Sequence, residues 1–146
     1  MKELEVFRTS HWVISHRSDS RYPGYLIASS KDKIDDFQKL TAEAMSDLKI
    51  ALTKAERLVI LVYGQSKAII AKLGQHEKII HFHIVPISSI LAKHIAHHPQ
   101  YSTITPEEKR ILLYVNKEYC EIPLNEQQKE EILLEVSALR KKHEEL

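Results

Sequence analysis

KIIHFHIVPI, residues 78–87, sets two histidines one residue apart inside an apolar run interrupted only by a proline near its end. Side chains of a β-strand alternate between its two faces. His81 and His83 therefore share a face with Ile79 and Val85, while Ile80, Phe82 and Ile84 share the other. Both faces are largely apolar, which predicts a central strand covered on both sides. KAIIAKLG, residues 67–74, reads as its antiparallel partner, with GQHE between them as a tight turn. Further upstream EVFRT, HWVISHR and GYLIAS are short β-rich runs, the last opened by a Pro-Gly turn signal.

Helical spacing takes over elsewhere. Thr41 is the expected N-cap of a helix of about twenty residues, in which Ala44, Leu48, Ala51, Leu52, Ala55, Leu58, Val59 and Val62 form an apolar stripe. Tyr63-Gly64-Gln65-Ser66 ends it. SSILAKHIAHH predicts a short helix stopped by Pro99. Thr105-Pro106-Glu107-Glu108 is a start signal in which Thr105 caps and Pro106 takes the first helical position. Asn125 caps a last helix with Ile132, Leu133, Val136 and Leu139 on its stripe, expected to fray in the charged KKHEEL end. The fold class is α+β: an antiparallel sheet of about five strands under one long helix. Residues 1–99 form the main domain, and residues 100–146 a C-terminal helical extension packed on it.

Composition narrows the functional classes. The chain has 146 residues, 43% hydrophobic and 28% charged, with 3 glycines, enough for one core without disulfide or metal staples. A net charge of +1 carries no nucleic-acid signature, and no segment reaches membrane-spanning length. The single cysteine, Cys120, gives no sign of an oxidising compartment, so a cytoplasmic location is expected. Charge is uneven, however. Between Lys67 and Thr105 four lysines face one carboxylate, Glu77, and the same span holds six of the nine histidines. That local field favours an anionic ligand over a divalent metal.

One histidine in an apolar strand is ordinarily a core residue bonded to a backbone carbonyl. Two on one face each need a partner. A metal site would draw its third ligand from His94, His97 or His98, because no Asp or Glu lies between Lys78 and Thr105. Alternatively, neutral imidazole attacks phosphorus near pH 7 without an activating base, and the second imidazole donates to a phosphate oxygen. The spacing alone leaves open which histidine attacks. The histidines at 94, 97 and 98 share one helix face and read as a solvated or subunit-facing patch. Trp12, beside His11 and His16, reads as core.

LGQHEKIIHFHIVP resembles the signature strand of the histidine triad family, His-φ-His-φ-His-φ-φ, often closed by Pro-Arg. RYPGYLIASSKDKIDDFQKLT, residues 21–41, resembles the family's Pro-Gly-His-Leu-Leu-Val-x-Pro-Lys segment and the helix after it. The resemblance covers roughly the first hundred residues. It implies a nucleotidyl hydrolase or transferase on an α+β fold, commonly a homodimer whose sheets join. The middle histidine would form a covalent nucleotidyl-histidine. By register His81 is that nucleophile and His83 the third histidine, which binds the non-bridging oxygens. Gln75 and His76 would position the phosphate chain or leaving group, helped by Lys78.

Three positions depart from the family pattern. Ile79 stands where the first histidine would be, Ile87 replaces the closing arginine, and Arg17 replaces the acid that reads ribose hydroxyls, with Asp19 nearby. Arg17 and Arg21 are candidate phosphate contacts, against the ordinary reading of exposed structural arginines. The implied substrate is a phosphoanhydride or phosphoramidate of the dinucleoside polyphosphate kind. No cofactor is required, with Mg²⁺ entering only on the substrate phosphates. Two rivals stand beside this reading: a non-catalytic nucleotide-binding or regulatory module, and a histidine-based metal-binding protein.

Overall fold

The computed structural model describes residues 2–64, 67–73 and 78–146. Its strands are β1 (Glu5–Arg8), β2 (Trp12–His16), β3 (Leu26–Ser30), β4 (Lys67–Ala71) and β5 (His81–Ile87). They form one five-stranded sheet in the order β1-β2-β3-β5-β4, with every neighbouring pair antiparallel. The 22-residue α1 (Ala42–Tyr63) crosses from β3 to β4 and starts where expected, with the Thr41 hydroxyl accepting from the Ala44 amide. The chain then returns as β5, placed between β3 and β4, so the histidine strand is central.

Alternation along the strands sorts two cores onto the two faces. Trp12, Ile14, Leu26, Ala28, Phe82 and Ile84 face α1 and α4 (Glu126–Glu144), meeting Leu48, Leu58, Val59, Ile132, Val136 and Leu139. Even the polar end of Trp12 is accommodated there, its indole N–H donating to the Ala44 carbonyl at 2.9 Å. On the other face Tyr25, Ile69, Val85 and Ile87 pack against Ile95 of α2 (Ser89–Ala96) and Ile111 and Val115 of α3 (Glu107–Tyr119). The helices after residue 100 thus enter the same two cores as the strands.

Several expectations need correction. The second face of β5 is covered only at its Val85–Ile87 end, because Ser88 caps α2 immediately after the strand and turns the chain over that end. The regular strand begins at His81 rather than Lys78, and β4 ends at Ala71. α3 starts one residue later than predicted, with Pro106 at the cap position and no side-chain cap bond. The C-terminal end does not fray. α4 is helical to Glu144, its His143 ring stacks on Phe7 with centroids 4.4 Å apart, and Arg140 donates to the carbonyls of Lys2, Glu3 and Glu5. The Asn125 cap is present and forms a reciprocal box with Gln128. Among the described residues no helix is long and apolar enough to cross a membrane.

Candidate active site

Where α2 and α3 leave the second face uncovered, a cavity of about 520 Å³ opens beside β5. Ile79, His81 and His83 line one wall; Ser15, Ile27 and Ser29 of β2 and β3 line the floor, and Arg17, Ser18 and Asp19 the far side. The register explains this set. Ile27 pairs with His83 and Ser29 with His81, so their side chains stand on the same face.

The two imidazole centroids are 5.0 Å apart. His81 Nδ1 lies 3.1 Å from the Ile79 carbonyl oxygen, which can only accept, so Nδ1 carries a proton; in a neutral ring this leaves the lone pair to Nε2. That is the tautomer a nitrogen nucleophile requires. His83 is buried, with Nδ1 2.8 Å from the Tyr25 hydroxyl and its ring edge-on to the tyrosine. Burial, the neighbouring His81 and the Arg17 charge push its pKa down to about 4, so His83 is neutral at pH 7.

Gly24 delivers Tyr25 to this place. Its φ is +83°, and a Cβ there would lie 2.4 Å from the Tyr63 ring, so only glycine fits. Its amide donates to Nε2 of His16, whose Nδ1 donates to the Arg17 carbonyl. His16 is thus saturated by backbone on both nitrogens. Burial lowers its pKa, and it serves as a neutral structural brace.

The other sequence-predicted site residues divide. Arg17 borders the cavity, but its guanidinium is engaged by Asp19 at 2.5 Å and Asn116 at 2.6 Å. Arg21 does not line it: its guanidinium donates to the Glu118 carbonyl at 2.5 Å, at the end of α3, and lies over Tyr119. The negative end of a helix dipole draws it there. Lys78 is exposed and outside the cavity lining. Gln75 and His76 lie outside the described residues. Ile79, at the position where the resemblance expects the first histidine, lines the wall as an apolar group. Among the described residues no cluster of His, Cys, Asp and Glu has the arrangement to hold a metal ion. His94 and His98 instead pack edge-on against Tyr114.

Sequence reading passed over Tyr25, Asn116, Ser15 and Ser29. A signal existed for Tyr25, which stands where the resembled Pro-Gly-His segment has its histidine. Nothing local marked Asn116, ninety-nine positions from the arginine it meets.

No protein-family model matches the chain, and no curated protein sequence matches it. Solved structures do. A hypothetical histidine triad nucleotide-binding protein of Sulfolobus tokodaii superposes with a TM-score of 0.65 at 11% identity, covering 98% of this chain and 85% of that one. The diadenosine triphosphate hydrolase of Plasmodium falciparum gives 0.62 at 16% identity, over 98% and 80%. The NitFhit protein of C. elegans gives 0.61 at 16% identity; 93% of this chain is covered, but it spans only 27% of that protein. The fold is that of the histidine triad proteins.

Proposed function

We propose that the chain is a nucleotidyl hydrolase or transferase of the histidine triad type, acting on a phosphoanhydride or phosphoramidate next to a nucleoside monophosphate. The observation that carries this reading is the His81 tautomer: Nδ1–H held by the Ile79 carbonyl, on the wall of a cavity shared with His83. His81 Nε2 attacks the α-phosphorus in line. A P–N bond forms as the P–O or P–N bond to the leaving group breaks, and the leaving group departs with its electron pair and takes up a proton. Water or another acceptor then attacks the same phosphorus, loses a proton, and releases neutral His81. His83 donates to a non-bridging oxygen while charge builds there. Attack by neutral imidazole needs no metal, and Mg²⁺ would enter bound to the substrate phosphates. Dinucleoside polyphosphates lead the substrate list, supported by the fold shared with a diadenosine triphosphate hydrolase. The active form is a homodimer in the cytoplasm, an assembly for which the exposed Ile70 and Leu73 on and beside the edge strand β4 offer apolar surface.

The apolar Ile79 on the cavity wall favours a second reading, a nucleotide-binding module without turnover. One experiment separates the two. Diadenosine tetraphosphate and adenosine phosphoramidate are offered to the wild type and to His81→Ala, with and without EDTA. Cleavage that survives EDTA and vanishes in His81→Ala supports the enzyme. Tight binding with no cleavage by folded wild type supports the module.

A further inference from the structure

The hydroxyl of Tyr25 is fully buried, and its surroundings constrain where its proton goes. It bonds to Nδ1 of His83 at 2.8 Å, and the Arg17 guanidinium carbon lies 4.9 Å from the ring centroid. A buried phenol O–H needs an acceptor, and the guanidinium beside the ring has none to offer. The phenol's own proton therefore goes to Nδ1 of His83. Asn116 is itself fixed, its carbonyl accepting from Arg17 at 2.6 Å and its amide donating to the Leu112 carbonyl at 2.8 Å. The Arg17 guanidinium is held on its far side by Asp19. A chain of contacts therefore runs from Asn116 of α3 through the Arg17 guanidinium over the Tyr25 ring, and through the Tyr25–His83 bond, to the wall of the cavity.

We propose that Tyr25 is a positioning residue that sets the tautomer of His83, and that Arg17, fixed by Asn116 of α3, holds the Tyr25 ring in place to do so. Accepting at Nδ1, His83 holds its proton on Nε2, on the cavity side, and meets the substrate as a hydrogen-bond donor. His81 is set in the opposite tautomer by the Ile79 carbonyl. Neighbouring imidazoles on one strand are thus assigned opposite roles, one lone pair and one N–H, by what each Nδ1 touches. The low pKa of His83 agrees, because a charged ring would carry protons on both nitrogens and lose the distinction. The kinetic part of this inference rests on the nucleotidyl-transfer reading; the tautomer part does not.

Long-range proton–nitrogen NMR spectra of histidine-labelled protein at pH 7 read the tautomer of His83 directly. The expected wild-type result is an Nε2–H ring with an unprotonated Nδ1; an Nδ1–H ring would overturn the proposal. Tyr25→Phe keeps the ring volume but removes the proton donor, and His83 should shift to a mixture of tautomers. An unchanged spectrum in that variant would sink the idea. Asn116→Leu, at a partly exposed position, should move the same signals part of the way while the fold persists, which keeps the test decisive if Tyr25→Phe does not fold. No movement in Asn116→Leu would remove α3 from the chain of contacts. In turnover, Tyr25→Phe should lower kcat by about tenfold with KM nearly unchanged. A wild type inactive on dinucleotides would count against the enzyme reading while leaving the tautomer result standing.

Discussion

His16 and His83 are comparably buried, at 2% and 8% exposure, and both border the cavity, yet by register their side chains leave opposite faces of the sheet. On the face sealed by α1 and α4, His16 uses both ring nitrogens on backbone groups, Gly24 N–H and Arg17 C=O. On the face that α2 and α3 leave partly open, His83 uses Nδ1 on Tyr25 and turns its other edge to a cavity. Burial alone therefore does not separate a structural histidine from a chemical one. The difference is whether backbone saturates both nitrogens or leaves one facing space large enough for a ligand.

The strongest test of this contrast sets one face against the other. His81→Ala on the open face should reduce turnover by a thousandfold or more, as expected for loss of a nucleophile. Its melting temperature should hold, because His81 is only partly buried. Leu139→Ala on the sealed face should do the reverse, costing about 2–5 kcal/mol of stability in urea while kcat of the folded fraction is retained. A large stability loss in His81→Ala would mean that the open face is a core after all.

Gly24→Ala joins the two faces, since Gly24 braces His16 and delivers Tyr25. The added Cβ meets the Tyr63 ring at 2.4 Å with φ at +83°, so a loss of about 2 kcal/mol or more is expected by thermal unfolding. A smaller effect comes from pH. Burial holds both His16 and His83 below the ordinary 6.5, His83 at about 4. Between about 4 and 6.5 the unfolded chain binds more protons than the folded one, so stability rises with pH through this window. The contribution is complete above 6.5 and is lost as pH falls towards 4. Urea midpoints measured from pH 7 to 4.5 should show that slope, and His83→Gln should flatten it. The smallest effect is expected far from both faces: Asn125→Ala removes a helix cap and its box, for about 1 kcal/mol.

Much of this arrangement is local and was readable. The Thr41 and Asn125 caps, the apolar stripe of α1 and the alternation in β5 depend on neighbours within a few residues. Such patterns survive in a one-dimensional string. The start of α3 was misread by one residue because Thr105 resembled a cap and Pro106 a first helical residue, whereas Pro106 itself takes the cap position. The end of α4 was misread because Arg140 and His143 find partners at the other end of the chain. The site divides in the same way. His81 and His83 were legible from their spacing, while Arg17 entered only as a candidate phosphate contact. That Arg17 serves Asp19, Asn116 and Tyr25 was not legible, nor that Arg21 turns away to the end of α3.

Sequence by itself thus determined the elements, the central position of the histidine strand and the pair of imidazoles on one of its faces. Periodicity and capping act through nearest neighbours along the chain. The tertiary structure alone decided which stretch of that face stays open and which atom each Nδ1 touches. Hydrogen-bond direction depends on groups that only folding brings together, as it brings Asn116 of α3 to Arg17 beside β2 and Tyr25 to His83.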